Sequence, residues 1–446
     1  MSESFFTHIH GPATFAGPLS TDPFTYRWYD ADRSVAGKRM ADHLRMAVCY
    51  WHTFCWDGSD PFGAGTLDRP WLDSSRYDSP ESAARHKLDA AFELFGLLGL
   101  PYFCFHDRDL APEGDSPKDT ADLLDRLADT AGEKMEEVGV GLLWGTANLF
   151  SHPRYQAGAA TNPDPDVFAH AATQVAQCLE VTHRLGGENY VMWGGREGYD
   201  TLLNTDLSRE AVQLARFMHM VVEHKHHIGF EGTLLIEPKP FEPTKHQYDF
   251  DTAAVHAFLL AHGLEGEIKV NIEVNHATLG GHDVAHEVAY AASHGILGSV
   301  DANSGDDRLG WDVDRFPVSV EAMVPPMIEI LRAGGLGSGG FNFDAKLRRQ
   351  STDRADLLHA HIAGADVLAR ALLVAQSILD EGELDSFRDG RYANWDGTRG
   401  RAIVNGDVTL GGLRDQVLES GEEPDRVSGA QERLERLIQR HIEMAR

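Results

Sequence analysis

The sequence is poor in the residues that bind polyanions. Its 446 residues carry 40 Lys+Arg against 69 Asp+Glu, a formal net charge of −29 with His neutral. A nucleic-acid clamp needs a Lys/Arg excess on at least one face, and here the acidic surplus runs along most of the chain. Nucleic acid is therefore excluded as a partner, whereas a cation or a neutral polar ligand fits.

Cysteine is scarce as well. Cys49, Cys55, Cys104 and Cys178 show no CxxC spacing and fall in apolar stretches, which reads as reduced, buried thiols. Long apolar runs are missing: the longest, 90–105, is broken by Glu93 and Pro101 and falls short of the roughly 20 residues that span a bilayer. The opening segment has Glu3, no basic region and no sustained apolar stretch, so no secretory leader is expected. These absences point to a cytoplasmic protein without membrane contact.

What is present is alternation. Short apolar runs at 46–54, 101–107, 140–148, 189–195, 232–239, 268–276, 296–303 and 339–346 read as strands. Amphipathic segments at 83–98, 119–138, 166–185, 208–227, 251–262, 283–293, 318–332 and 353–379 read as helices, many opening on Ser or Asp. Eight β-then-α units in one block predict an α/β fold, a (β/α)8 TIM barrel over residues 46–380, with an open doubly wound sheet as the other possibility. Residues 1–45 read as an N-terminal extension. Residues 381–446, Gly-rich and charged, read as a helical C-terminal arm for subunit contacts.

Nearly every strand-like run ends in a chemically useful side chain, as convergence on one barrel mouth requires. Glu237, Glu273 with His276, Asp301, Asp312 with Asp314, and Asp344 form the hard-cation signal. Two like charges about 4 Å apart repel by roughly 4 kcal/mol at an effective dielectric of 20, so six carboxylates at one mouth imply cations among them. Oxygen-rich ligation with a single imidazole favours Mg²⁺, with Mn²⁺ or Co²⁺ as alternatives, over structural zinc. Seven side chains exceed one octahedral shell, which predicts two ions per subunit bridged by Glu273.

FHDRDLAPEG sets His106 three residues before Asp109, a pairing suited to proton transfer. In LIEPKPFEP, Glu237 and Lys239 share a strand face, and an ammonium there can donate to a developing oxyanion. Trp51, Trp56, Phe150 and Trp193 lie near strand ends and offer flat walls for a sugar. GGLGSGG (334–340) lacks the spacing of a dinucleotide loop and precedes a strand. Lys346, Arg348 and Arg349 read as a solvated helix start, and HKHH (224–227) as a solvated helix end.

FHDRDLAPEG, LIEPKPFEP, VMWGGREGY, NIEVNHATL, GSVDANSGDDRLGWDVDRFP and NFDAKLRRQSTD resemble the signature and metal-binding segments of the xylose isomerase family, in its longer subgroup. The resemblance runs from about residue 46 to the C-terminus. It implies reversible isomerisation of D-xylose to D-xylulose, with D-glucose slower, in a homotetramer whose arm embraces a neighbour. It implies one ion held by Glu237, Glu273, Asp301 and Asp344, and a second by Glu273, His276, Asp312 and Asp314. Ring opening would fall to His106 with Asp109, and a hydrogen bond to the C1 oxygen to Lys239. Trp193 and Phe150 would line the pocket with Thr146 near the sugar, Phe62 would enter from an adjacent subunit, and Glu242-Pro243 would match a cis step. A sugar isomerase or epimerase working through an enediol and a two-metal hydrolase on the same barrel are the rival readings.

Overall fold

A computed structural model describes residues 4–7, 9 and 11–445. Eight parallel strands close into a barrel: β1 (Ala47–Cys49), β2 (Tyr102–His106), β3 (Gly141–Thr146), β4 (Asn189–Trp193), β5 (Thr233–Glu237), β6 (Ile268–Glu273), β7 (Leu297–Asp301) and β8 (Phe341–Phe343). Neighbours in space follow chain order, and β8 closes on β1 through the Asn342 to Ala47 register. The barrel reading is thereby borne out over the open sheet.

The outer ring is α1 (Pro80–Leu98), α2 (Pro117–Val138), α3 (Pro165–Arg184), α4 (Leu207–Ile228), α5 (Thr252–His262), α6 (Val284–Ser293), α7 (Val320–Arg332) and α8 (Ala355–Glu381). Their starts follow from local chemistry. Ser79, Ser116, Asp164, Asp206, Asp251, Asp283 and Ser319 each cap a helix by accepting a backbone N–H two or three residues on. Proline at the first turn of α1, α2 and α3 places its missing N–H where no partner is needed. α8 is long and apolar enough by composition to cross a membrane; here its Leu358, Ile362, Leu368, Leu372 and Ile378 are buried against the rest of the protein.

The glycine run before β8 is a packing requirement. A Cβ on Gly339 would lie 1.9 Å from the Gly298 carbonyl oxygen, and one on Gly340 2.2 Å from that of Arg45, so only glycine lets these segments touch. Three of the strand-like runs overshoot their strands by three residues or more. The first is a strand only to Cys49 and then winds into a π-helical turn, Trp51–Cys55. The sixth ends at Glu273 and continues as a short helix, Val274–Leu279. The last ends at Phe343.

The N-terminal segment packs on its own barrel: Phe5, Phe6, Tyr26 and Tyr29 are buried, and the Asp366 carboxylate on α8 accepts the backbone N–H groups of Arg27, Trp28 and Tyr29. Beyond α8 the helices Glu383–Tyr392, Thr398–Val404 and Leu410–Ser420 bury no side chain. The final helix, Gln431–Met444, returns to the barrel through Leu437, His441 and Ile442. All four cysteines are free. Cys55 departs from the expectation of apolar surroundings, because the Lys87 ammonium lies 3.2 Å from its sulfur.

Candidate active site and metal centre

The barrel delivers its polar residues by strand length. His106, Thr146, Trp193, Glu237, Glu273 and Asp301 are each the last residue of their strand, and Asp344 is one past β8. Register sets them side by side: His106 opposite Thr146, Trp193 opposite Glu237, Glu273 opposite Asp301. All of them except the fully buried Asp301 open into a cavity of about 190 Å³ that Trp51, His52, Phe150, Lys239, His276, Asp312 and Asp314 also line.

Three overlapping groups of ligand atoms, each within 4.8 Å of one another, occupy this mouth: Glu237/Glu273/His276, Glu237/Glu273/Asp301/Asp344, and Glu273/Asp312/Asp314. Glu273 belongs to all three. His276 is oriented for ligation, since its Nδ1 lies 3.0 Å from the Pro238 carbonyl and donates there, leaving Nε2 within 3.0 Å of Glu273 Oε2 and 3.2 Å of Asp312 Oδ2.

The donor set fits two divalent cations. Six buried or nearly buried carboxylates face the ammonium groups of Lys239, 2.7 Å from Asp312, and Lys346, 2.9 Å from Asp314. Even with His52 charged, the carboxylates outnumber the cationic groups around them, an excess that divalent ions would offset. Burial first, then neighbouring carboxylates, pushes the acids of Glu237 and Glu273 well up and that of Asp301 to about 8. Burial also works against Asp312, yet Lys239 and His276 hold its carboxyl well below the usual range. Glu237 and Asp301 belong to one group whose ligand oxygens lie within 4.8 Å of each other, an approach that a cation between them would relieve.

Asparagines complete the cage. Asn271 donates to Asp301 (2.7 Å) and Glu237 (3.1 Å), Asn342 to Asp301 (2.9 Å), and Asn303 to Glu273 (2.7 Å), while Asn275 donates to Asp312. Sequence reasoning passed over them, although each sits two residues from a named acid or His on its own segment or, for Asn275, beside His276. His52 was also missed. Its Nε2 lies 3.1 Å from Asp344 and 3.2 Å from Asp314, and although burial opposes its charge these two contacts raise its pKa to about 9. The expectation for Lys346 is overturned: 344–349 is not helical, and the ammonium is part of the acidic network. HKHH does end α4, with His224 near Glu180 and His226 near Glu267.

The other wall is aromatic. His106 Nδ1 lies 2.9 Å from Asp109 Oδ2; its ring meets Trp51 edge-on at 4.5 Å and Phe150 at 5.6 Å. Phe150 packs edge-on against Trp193 at 4.5 Å, and the Lys239 ammonium sits 5.2 Å over the Trp193 ring. Trp56 lies outside this wall, its indole N–H donating to the Ser59 carbonyl. Phe62 is 85% exposed and does not line the cavity of its own chain. Glu242-Pro243 is cis.

Over nearly its whole length the chain is similar to a xylose isomerase of Burkholderia cenocepacia (strain HI2424), 58% identical across 98% of this chain and 99% of that protein. The chain belongs to the xylose isomerase family. A second member, from Solibacter usitatus (strain Ellin6076), is 54% identical across 99% of this chain and all of its own. The XylA2 C-terminal domain matches residues 388–442, the exposed helical arm together with most of the returning helix. Among solved structures, an L-ribulose 3-epimerase covers 76% of this chain and 97% of its own at 16% identity, with a TM-score of 0.48.

Proposed function

We propose that the protein interconverts D-xylose and D-xylulose, and more slowly D-glucose and D-fructose, by ring opening followed by a 1,2-hydride shift. The observation that carries this reading is the pairing, in one cavity, of a cage for two divalent cations with a dry wall built from Trp51, Phe150 and Trp193. Glu237, Glu273, Asp301 and Asp344 would hold one ion and Glu273, His276, Asp312 and Asp314 the other, Mg²⁺ first with Mn²⁺ or Co²⁺ as alternatives. When bound, they supply electrophilic stabilisation of charge on the sugar oxygens.

The remaining chemistry belongs to side chains. With Nδ1–H held by Asp109, His106 presents Nε2 to accept the anomeric hydroxyl proton as the ring opens. Burial opposes the charge of Lys239, but Asp312, Glu273 and Glu242 keep it protonated, so it donates to the oxygen at C1. The O2 hydroxyl gives up its proton, hydride leaves C2 for C1 as the C2 carbonyl forms, and the oxygen at C1, hydrogen-bonded by Lys239, takes a proton back; Trp193 and Phe150 exclude bulk water around the transfer. Thr146, buried at the end of β3, faces the same cavity.

The same proposal takes the subunit as part of a cytoplasmic homotetramer, with 1–45 as an extension, 46–380 as the catalytic barrel and 381–446 as the contact arm. Leu410, Leu418, Val404 and Val427 on the arm are each more than 70% exposed, as apolar residues awaiting a neighbour would be. Phe62 would then complete the pocket of an adjacent subunit. The test is turnover of D-xylose in deuterated water with Mg²⁺. D-xylulose with almost no carbon-bound deuterium is expected; substantial labelling would indicate an enediol, and no D-xylulose at all would remove the isomerase reading.

A further inference from the structure

Behind the barrel mouth lies a second group of ligands that the isomerase reading does not use. His282, His286 and Glu287 each bring one ligand atom to within 4.8 Å of the others. His286 lies in the first turn of α6, whereas His282 precedes the helix and its Asp283 cap, so the two imidazoles meet through the turn before the helix and not through helical spacing. Gly281, at φ +71°, turns the chain so that His282 folds back over that first turn.

The third ligand is already fixed. Glu287 is buried, and its Oε2 accepts the backbone N–H of Thr252 at 2.9 Å, which leaves Oε1 directed at His282 Nδ1. Asp251 Oδ2 lies 4.0 Å from the other nitrogen of His282. His286 is exposed, and its imidazole makes no hydrogen bond among the described residues, only ring contacts with His282 at 5.5 Å and Tyr290 at 6.4 Å. A solvent-facing imidazole, a half-buried imidazole and an anchored carboxylate thus converge with one side open to water.

We infer that His282, His286 and Glu287 form a further metal site, distinct from the two at the barrel mouth and suited to Zn²⁺. Two nitrogens and one carboxylate oxygen match the preference of zinc for borderline ligands in a tetrahedron with water as the fourth. The N-termini of α5 and α6 both point here, and their dipoles oppose a cation. The carboxylates of Asp251, Asp283 and Glu287 supply three negative charges against them. An ion between His282 and Glu287 takes the place of their hydrogen bond. It also clamps the 280–283 turn onto α6.

The location gives this clamp a consequence. The small cavity lined by Asp251, His282 and Glu287 is lined on its far side by Glu273, His276 and Ala277. The turn that His282 closes follows directly from the short helix carrying His276. Zinc here holds the back of the catalytic layer in place without entering it.

The experiment counts zinc. Enzyme saturated with Mg²⁺ is dialysed against buffered micromolar free Zn²⁺, and zinc per subunit is measured by elemental analysis for the wild type, His286→Ala and His282→Ala. Each variant is expected to hold one ion fewer than the wild type, because any exchange at the barrel mouth is common to all three. Equal counts in all three overturn the inference. Because His286 is exposed, its variant folds as the wild type does, and the rise in Tm on adding Zn²⁺ should be smaller in it; an identical rise also contradicts the site. The count does not depend on turnover, so it stands or falls separately from the isomerase reading.

Discussion

The two halves of the barrel mouth are made of different chemistry. Strands β1 to β4 end in, or lead into, Trp51, His106, Thr146 and Trp193, whereas β5 to β7 end in Glu237, Glu273 and Asp301 and β8 leads into Asp344. The first half is an apolar wall with two imidazoles, His52 and His106; the second is a cage of charge. Each is a poor site alone. A bare aromatic wall has nothing to stabilise charge moving between oxygens, and a bare acid cage binds cations in water that would exchange the migrating hydrogen. The lesson is that a closed barrel lets sequence segments about 200 residues apart face each other across one cavity, so that charge and dryness are set independently.

The largest expected effect breaks the charged half. Glu273→Gln removes the one carboxylate common to all three ligand groups. It should release both ions and lower turnover by several kcal/mol of transition-state stabilisation, on the order of 10³-fold or more. Retention of two tightly bound ions, measured by elemental analysis, would contradict the bridging role.

On the apolar half the corresponding change is His106→Asn. General acid–base catalysis is worth about 10²–10⁴-fold, so the loss should be of that order for the cyclic sugar and much smaller for a substrate supplied in the open form. An equal loss with both would mean that His106 does something other than open the ring.

Stripping the ions tests the cage as a source of instability. Asp301 rises to about 8 in the folded protein against about 3.9 unfolded, so between these values the folded chain binds more protons than the unfolded one. Stability of the chelated protein should therefore fall as pH rises from about 4 to 8, while that of the metal-loaded protein should not show this slope. Melting curves across that range decide it; parallel curves would mean the acids are not the site of the ions.

The smallest effect is expected where the halves meet. Trp51 donates its indole N–H to Asp344 at 2.8 Å, the direct bond from the wall to the cage. Trp51→Phe keeps the wall and loses the bond, and changes to such supporting contacts weaken metal binding by about 10–100-fold. A metal titration showing unchanged affinity would separate the two halves completely.

How much of this was legible in the sequence follows the same division. The buried parallel strands read as continuous apolar runs, and an acid at the end of each of the last four was visible because strand ends are where the period stops. The cage was therefore read almost complete. His52 was hidden because a strand reading sends Trp51 and its neighbour to opposite faces, and only the π-helical turn brings both to the mouth. Lys346 was hidden because its neighbours Arg348 and Arg349 suggested a solvated surface, and its partner Asp314 lies 32 residues earlier in a loop. The supporting asparagines carry no charge, so although Asn271, Asn303 and Asn342 stand two residues from a named acid, nothing in composition marked them.

The π-helical turn at Trp51–Cys55 has one more implication. Trp51 Nε1 and His52 Nε2 both reach the same oxygen, Asp344 Oδ1, at 2.8 and 3.1 Å. A wider turn accommodates one more residue per hydrogen-bonded loop than an α-helix does. The segment is therefore sensitive to length more than to composition: deleting one residue between Tyr50 and Cys55 would let the turn relax to ordinary pitch and rotate one of the two rings away. Substitution libraries that keep the length of this segment should yield functional variants, and single-residue deletions within it should not.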